Sequence, residues 1–328
     1  MNDKTKLPLI QPLYSTYHFQ GSGCAIIKNN LSIKNWYYNN AIQLECNRAF
    51  IAAYTSPVIS VKNSSFKDNP FLNNKIIAME ELGDRIHDVI RQLINEGNYI
   101  FFDGIDDFYM NGKSWSGERH VLHDGLIYGY DLQERTYDIY AYNKTWQYKP
   151  FTIEIDVFEE ARKKTFEEYC GFITAISVSP ETAIIDIEKI CNELNDYINS
   201  DFIKYPPYIN KNASGIVVHD YIATYMYKYL NGAVPYERLD RRIFRMLWEH
   251  KNVMLERIQS VEQLLGLGNE HSCSYKKITQ TANNLRLMYA SHMIKRKDDV
   301  LKILLNETIK LKESEQNILN ELLRIIKP

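Results

Sequence analysis

A chain of 328 residues is long enough for two ordinary domains, each with its own core. Its 39 basic and 41 acidic side chains nearly cancel, so no long-range field argues for nucleic acid or an anionic membrane as a partner. No stretch approaches the roughly 20 apolar residues of a membrane span, and the first twenty residues lack the apolar core of a signal peptide. The five cysteines, Cys24, Cys46, Cys170, Cys191 and Cys273, are scattered without a C-x-x-C pair. That argues against a disulfide framework or structural zinc site and for a reducing cytoplasm.

In chain order, residues 24–32 read as a short helix, with Ala25, Ile26 and Ile27 available for packing. Residues 35–55 read as helix then turn, and the polar stretch 62–75, with Pro70, as a loop. Residues 76–96 repeat apolar positions at helical spacing and stop at Gly97. Beyond Gly97 the pattern changes: 98–110, 123–131, 136–143 and 151–156 are rich in β-branched and aromatic residues and predict strands. DLQER, between the second and third of these, predicts a hairpin turn. Helices then dominate over about 156–170, 186–200, 214–231, 239–266 and 276–326, with 171–180 as one last strand. The Pro206-Pro207 pair marks a break. The expectation is an α+β protein, with a catalytic domain over residues 1–170 and a helical domain over 171–328.

Two segments carry candidate chemistry. Cys24 follows a Gly-Ser-Gly sequence and precedes an apolar run, which predicts a place in the first turn of a helix. Unpaired amides and the positive end of the helix dipole favour a thiolate there, and the thiolate is the nucleophile. Gly23 would let a substrate approach the backbone, and the Cys24 amide would donate to an oxyanion. The plain alternative for Cys24 is a small buried hydrophobe. His123 opens the apolar strand GLIYGYD, a position that suits a general base at a domain surface. His120 is its rival, and residues three apart on a strand face opposite ways.

The spacing His123-x5-Gly129-Tyr130 resembles the histidine strand of papain-like cysteine proteases. In that family an Asn shortly before a Trp on the next strand orients the histidine. The resemblance gives that role to Asn143, ahead of Trp146, with Asp138 and Asp131 as alternatives. The family's oxyanion Gln, six residues before the cysteine, is replaced here by His18, while Gln20 lies four before; either can donate a hydrogen bond. A closer similarity is to the papain-fold proteins of natural-product clusters, typified by butirosin-type acyltransferases, with relatives near nonribosomal peptide and closthioamide-like pathways. It rests on the Cys24 segment with WYYNNAIQLECN (36–47), on HDGLIYGYD, and on LWEHKNVMLERI (247–258).

That resemblance implies a papain-like fold followed by a helical domain. The implied reaction moves an acyl group from the thioester of an acyl or peptidyl carrier protein, through acyl-Cys24, to a small-molecule amine. No cofactor is expected beyond the phosphopantetheine arm of the donor. With water as acceptor the same residues would make a cysteine hydrolase: a peptidase, amidase or thioesterase. A third reading is a non-catalytic module that binds the carrier.

Other groups are weaker candidates. Asp103, Asp106 and Asp107 could hold a substrate amine, though a solvated loop is the simpler account; they do not match a calcium loop. Arg241, Arg242, Arg245 and Lys251, and the run Lys295-Arg296-Lys297, could face an acidic carrier, though solvated helix faces are simpler. His219 and His250 read as packing or hydrogen-bonded histidines. The helical half would either shape the acceptor pocket or mediate a homodimer.

Overall fold

The aromatic and β-branched runs after Gly97 form strands, and the helical periodicities after residue 155 form helices. The computed structural model describes residues 3–26, 31–52, 55–166, 171–200 and 212–327; Cys170 and the Pro206-Pro207 pair lie outside them. In chain order the elements are β1 (Lys4–Lys6), α1 (His18–Ala25), α2 (Leu31–Asn40), β2 (Leu44–Asn47), β3 (Ser60–Val61), β4 (Leu72–Ala78), α3 (Met79–Leu82), α4 (Ile86–Asn95) and β5 (Tyr99–Asp106). There follow β6 (Leu122–Asp131), β7 (Thr136–Tyr142), β8 (Tyr148–Glu154), α5 (Ile155–Phe166), β9 (Phe172–Val178), α6 (Ile187–Ile198), β10 (Asn212–Ser214) and α7 (Val218–Leu230). Three long helices close the chain: α8 (Ile243–Leu265), α9 (Glu270–Lys295) and α10 (Asp298–Ile326).

Contacts divide the chain into two compact units, Met1–Lys34 with Ser65–Thr182 and Asn35–Ser64 with Ala183–Pro328. The helical unit starts later than residue 171 because β9 pairs with β4 and β5, which ties it to the first unit. It also takes residues 35–64, whose strand β2 pairs with β10.

The first unit holds an antiparallel sheet in the order β4-β9-β5-β6-β7-β8, with β1 added along β6. β5 is buried along almost its whole length, as expected of a central strand covered on both faces. Alternation sends Ile100 and Phe102 into a core with α3, α4 and α5. Phe101 meets Phe66, with ring centroids 4.9 Å apart. Along α4, Ile86, Ile90 and Ile94 are fully buried at four-residue spacing. Each contributes about 2 kcal/mol by leaving water.

The helix expected over 76–96 is interrupted. Ile76 and Ile77 pair with Thr174 and Ile173, so the β-branched start of that segment belongs to a strand. Gly83, at φ +52, then separates α3 from α4. The helix expected over 24–32 is two helices: α1 ends at Ala25 and α2 opens at Leu31, with residues 27–30 outside the described set. Likewise LECN, within the stretch read as helix then turn, is strand β2.

The second unit combines the three-stranded sheet β10-β2-β3 with α6 to α10. Arg257 is 1 % exposed and donates to the carbonyls of Tyr38 at 2.6 Å and Ala41 at 2.8 Å. It thereby caps the C-terminal end of α2, where carbonyls lack helical partners. Lys251, expected on a solvated basic face, is fully buried: its Nζ lies 2.7 Å from Glu315 Oε2 and 2.9 Å from the Tyr197 hydroxyl. Arg242 and Arg245 are paired with Asp240 and Glu249. The protein is thus α+β, an antiparallel sheet with helices plus a helical C-terminal region, and no described helix is long and apolar enough to cross a membrane.

Candidate functional site

α1 starts earlier than the sequence suggested. Tyr17 is its extended N-cap residue, and the Tyr17 carbonyl accepts from the amides of Gln20 and Gly21. Gly21, Ser22 and Gly23 therefore lie inside the helix instead of forming a turn before it. Gly21 has a steric reason to be glycine, because a Cβ there would collide with the Tyr148 ring. The Ser22 hydroxyl lies 3.3 Å from the Tyr148 hydroxyl.

This start shifts Cys24 to the last turn of α1, fully buried. The expectation of a first-turn thiol is corrected: the carbonyl end of a helix carries partial negative charge, which opposes a thiolate. His18 occupies the amide end. Six residues separate the two, which at helical rise is roughly 9 Å along the axis and a different face.

The histidine strand is built as expected, but with a different partner. His123 Nδ1 lies 2.9 Å from Asp107 Oδ2. A carboxylate only accepts, so Nδ1 carries the proton and Nε2 presents its lone pair. Asp107 is fully buried; its Oδ1 lies 3.1 Å from Lys113 Nζ, an ion contact without hydrogen-bond alignment. Lys113, also fully buried, donates to the Asp124 backbone carbonyl. The His123 side chain keeps 27 % of its surface open. His120 pairs instead with Asp106, at 2.7 Å, stacks on Phe108 and is mostly exposed.

A bulge in β5 sets up these pairs. Phe102 faces Gly125 and Ile105 faces His123, so Asp103 and Gly104 together oppose Asp124. Gly104 supplies the positive φ of +75. The strand then runs into Asp106 and Asp107 beside the start of β6, where the Asp107 amide donates to the Val121 carbonyl at 3.0 Å.

Asn143 does not orient His123 through its carbonyl oxygen. It lies past the end of β7, and its Oδ1 accepts from the Thr145 amide (3.0 Å), the Thr145 hydroxyl (2.8 Å) and the Gln147 amide (3.1 Å). It shapes the turn that holds Trp146 at φ +57. The alternatives are also engaged elsewhere: Asp138 pairs with Lys6 and Asp131 with Lys4. Asp107, read in the sequence as part of a solvated acidic loop, is the residue on His123. No local signal marks it, because the bulge in β5 and the return of β6 bring it to His123.

The expected oxyanion residues are all buried: His18 at 4 % exposure, Gln20 at 0 %, and Gly23 within α1. The His18 ring meets that of His123 edge-on, centroids 4.5 Å apart. Its Nε2 accepts from the Tyr142 amide at 3.2 Å. Burial, with the neighbouring Lys113 ammonium and the His123 ring as further causes, drives its pKa well below the usual histidine value. Neutral His18 thus carries its proton on Nδ1 and is a donor through that atom. Tyr148 packs 5.4 Å from His18, and burial raises its hydroxyl pKa well above normal, with Cys24 adding to the rise. Asp124 is pushed up to about 6 by burial and by the adjacent Asp103 carboxylate.

Among the described residues no group of three or more His, Cys, Asp or Glu is placed to hold a metal ion. What the site offers is a half-buried histidine, a fixed counter-carboxylate on its Nδ1 and a neutral imidazole donor beside it. No protein-family model matches this chain, and no curated protein matches it.

Proposed function

We propose that the first unit is an acyltransferase site in which His123 acts as general base. The acceptor is an amine and the donor an acyl thioester on a carrier protein, as the sequence resemblance to papain-fold acyltransferases of natural-product pathways implies. The observation that carries this reading is the buried Asp107 carboxylate on His123 Nδ1, with Lys113 beside that carboxylate, because such a partner favours the tautomer a base requires.

In the proposed reaction the amine attacks the thioester carbonyl and passes a proton to His123 Nε2. Asp107 stabilises the imidazolium, and His18 Nδ1–H donates to the oxyanion. Collapse breaks the C–S bond, the imidazolium returns its proton to the leaving thiolate, and an amide and a free thiol result. General-base help of this kind is worth about 10²–10⁴ in rate. The finer reading of the fold, a papain-like domain, is supported by the antiparallel sheet with α1 laid against its histidine strand. A route through acyl-Cys24 is the second reading, as the sequence resemblance implies.

The test is incubation with an acyl-loaded carrier protein, with and without a primary amine, read by intact mass. Amide formed by wild type and by Cys24→Ala, but not by His123→Ala or Asp107→Asn, is the expected result. An acyl adduct on wild type that vanishes in Cys24→Ala selects the second reading. Free acid in place of amide makes the protein a hydrolase. Carrier binding without turnover makes it a binding module and sinks the proposal.

A further inference from the structure

The chain leaving β1 and the strands β6 to β8 flank an open surface cavity of about 1000 Å³ in the first unit. Leu7, Leu9 and Ile10 line one side, and Tyr128, Tyr140 and Pro150 the other. This size suits a small organic ligand that keeps part of its surface in water, and the lining mixes apolar side chains with polar ones. Asp138 and Lys6 supply the charge there.

Lys6 shows which chemistry the polar end accepts. Its ammonium lies 2.8 Å from Asp138 Oδ1 and 5.2 Å from the centre of the Tyr128 ring. Asp138 is 9 % exposed and Tyr128 4 %, whereas the Lys6 side chain is 52 % exposed. The carboxylate and the ring are therefore built into the sheet, and the cation is the loosely held part. Gly129 makes room for the carboxylate, since a Cβ there would lie 2.8 Å from Asp138 Oδ2. A primary ammonium between a buried carboxylate and an aromatic face is held by ion pairing and by the ring quadrupole. A half-exposed lysine pair is weak enough to be exchanged.

We propose that this cavity binds an aliphatic primary amine, whose ammonium replaces that of Lys6 on Asp138 and Tyr128 while its chain lies against Leu7, Leu9 and Ile10. The site is separate from the His123 base. Between them stand Tyr148 and His18, with ring separations of 4.8 Å from Tyr140 to Tyr148, 5.4 Å from Tyr148 to His18 and 4.5 Å from His18 to His123. The inference therefore does not rest on the acyl-transfer reading.

Calorimetric titration of the full chain with n-hexylamine, and with n-hexanol as the uncharged control, tests it. Hexylamine should bind one to one and hexanol at least about tenfold more weakly, because only the amine can pair with Asp138. Lys6→Met should bind hexylamine about three- to fivefold more tightly, because the resident competitor is gone. Asp138→Asn should lose about tenfold or more. His123→Ala should bind hexylamine as wild type does; a loss there would place the amine at the other site and overturn the proposal. Equal binding of hexanol, or a folded Lys6→Met protein with unchanged or weaker amine affinity, would also overturn it. Neither result would touch amide formation by His123.

Discussion

Asp107 and Lys113 face each other at 3.1 Å with both side chains fully withdrawn from water. Such a pair holds because each ion compensates the other; removing one partner leaves a bare charge in a poorly polarisable interior. Asp107→Asn should therefore destabilise the protein by about 3 kcal/mol or more in urea unfolding. Adding Lys113→Met should recover part of that loss, since no bare charge is then left in the interior, although the buried amide remains. Neither variant should form amide, because His123 loses the carboxylate that sets its tautomer. Recovered activity in the double variant would show that Asp107 serves only the fold.

Gly21→Ala tests how closely α1 is laid against β8. The added methyl would collide with the Tyr148 ring, which is itself buried, with its hydroxyl 3.3 Å from that of Ser22. Forcing it in should cost about 1–3 kcal/mol in thermal or urea unfolding. Trimming the ring in Gly21→Ala/Tyr148→Ala should cost less than the two single losses added together, because the collision is gone. Strict additivity would mean that helix and strand separate more readily than their packing suggests.

These contacts explain what could be read from the sequence. The strands β5 to β8 and the helices after β9 announce themselves by residue type and period, since each depends on its own local pattern. The place of His123 at the start of a strand was legible because an apolar run follows it. The start of α1 was not: Gly21-Ser22-Gly23 has the composition of a turn, and the approach of Tyr148, far along the chain, gives Gly21 a packing reason to be glycine inside a helix. Asp107 was hidden for a similar reason. A bulge at Asp103 and Gly104 and the return of β6 carry it onto His123, and neither is written in the acidic loop itself. The turn contacts of Asn143 were not legible, because residues before a turn and residues at a site can share one local sequence.

The Asp103–Asp124 contact gives the first unit an unusual pH response. Burial and the Asp103 carboxylate lift Asp124 to about 6, above its unfolded value of 3.8. Between those values the folded state binds the proton more readily, so this group's contribution to stability declines as pH rises through 6. Asp124→Asn should therefore stabilise the protein at pH 8 by on the order of 2 kcal/mol and have little effect at pH 4. Urea unfolding of wild type and variant at the two pH values checks the sign. A variant equally stabilised at both would show that Asp124 does not hold its proton in the folded state.

The helical unit should respond in the opposite direction, through two histidines with no surface exposure. His250 Nε2 donates to the Ile42 carbonyl at 2.7 Å, and His219 Nδ1 donates to the Ile216 carbonyl at 2.8 Å. Burial, reinforced by the Lys251 ammonium, holds both well below the usual histidine pKa of 6.5. Glu315 Oε2, 3.5 Å from His219 Nε2, does not reverse this, because it already accepts from Lys251 and Tyr197. Above pH 6.5 both rings are neutral whether the chain is folded or not, and their contribution is complete. Below it the unfolded chain takes up protons that the folded one refuses, so stability falls by about 1.4 kcal/mol per pH unit for each histidine. His250→Gln keeps a donor for the Ile42 carbonyl and removes one proton from that balance. Its unfolding free energy between pH 6.5 and 5 should fall less steeply than wild type by that one-histidine slope. An unchanged slope would mean that the folded protein admits a proton at His250, and that the buried cluster around Lys251 and Glu315 is looser than its packing indicates.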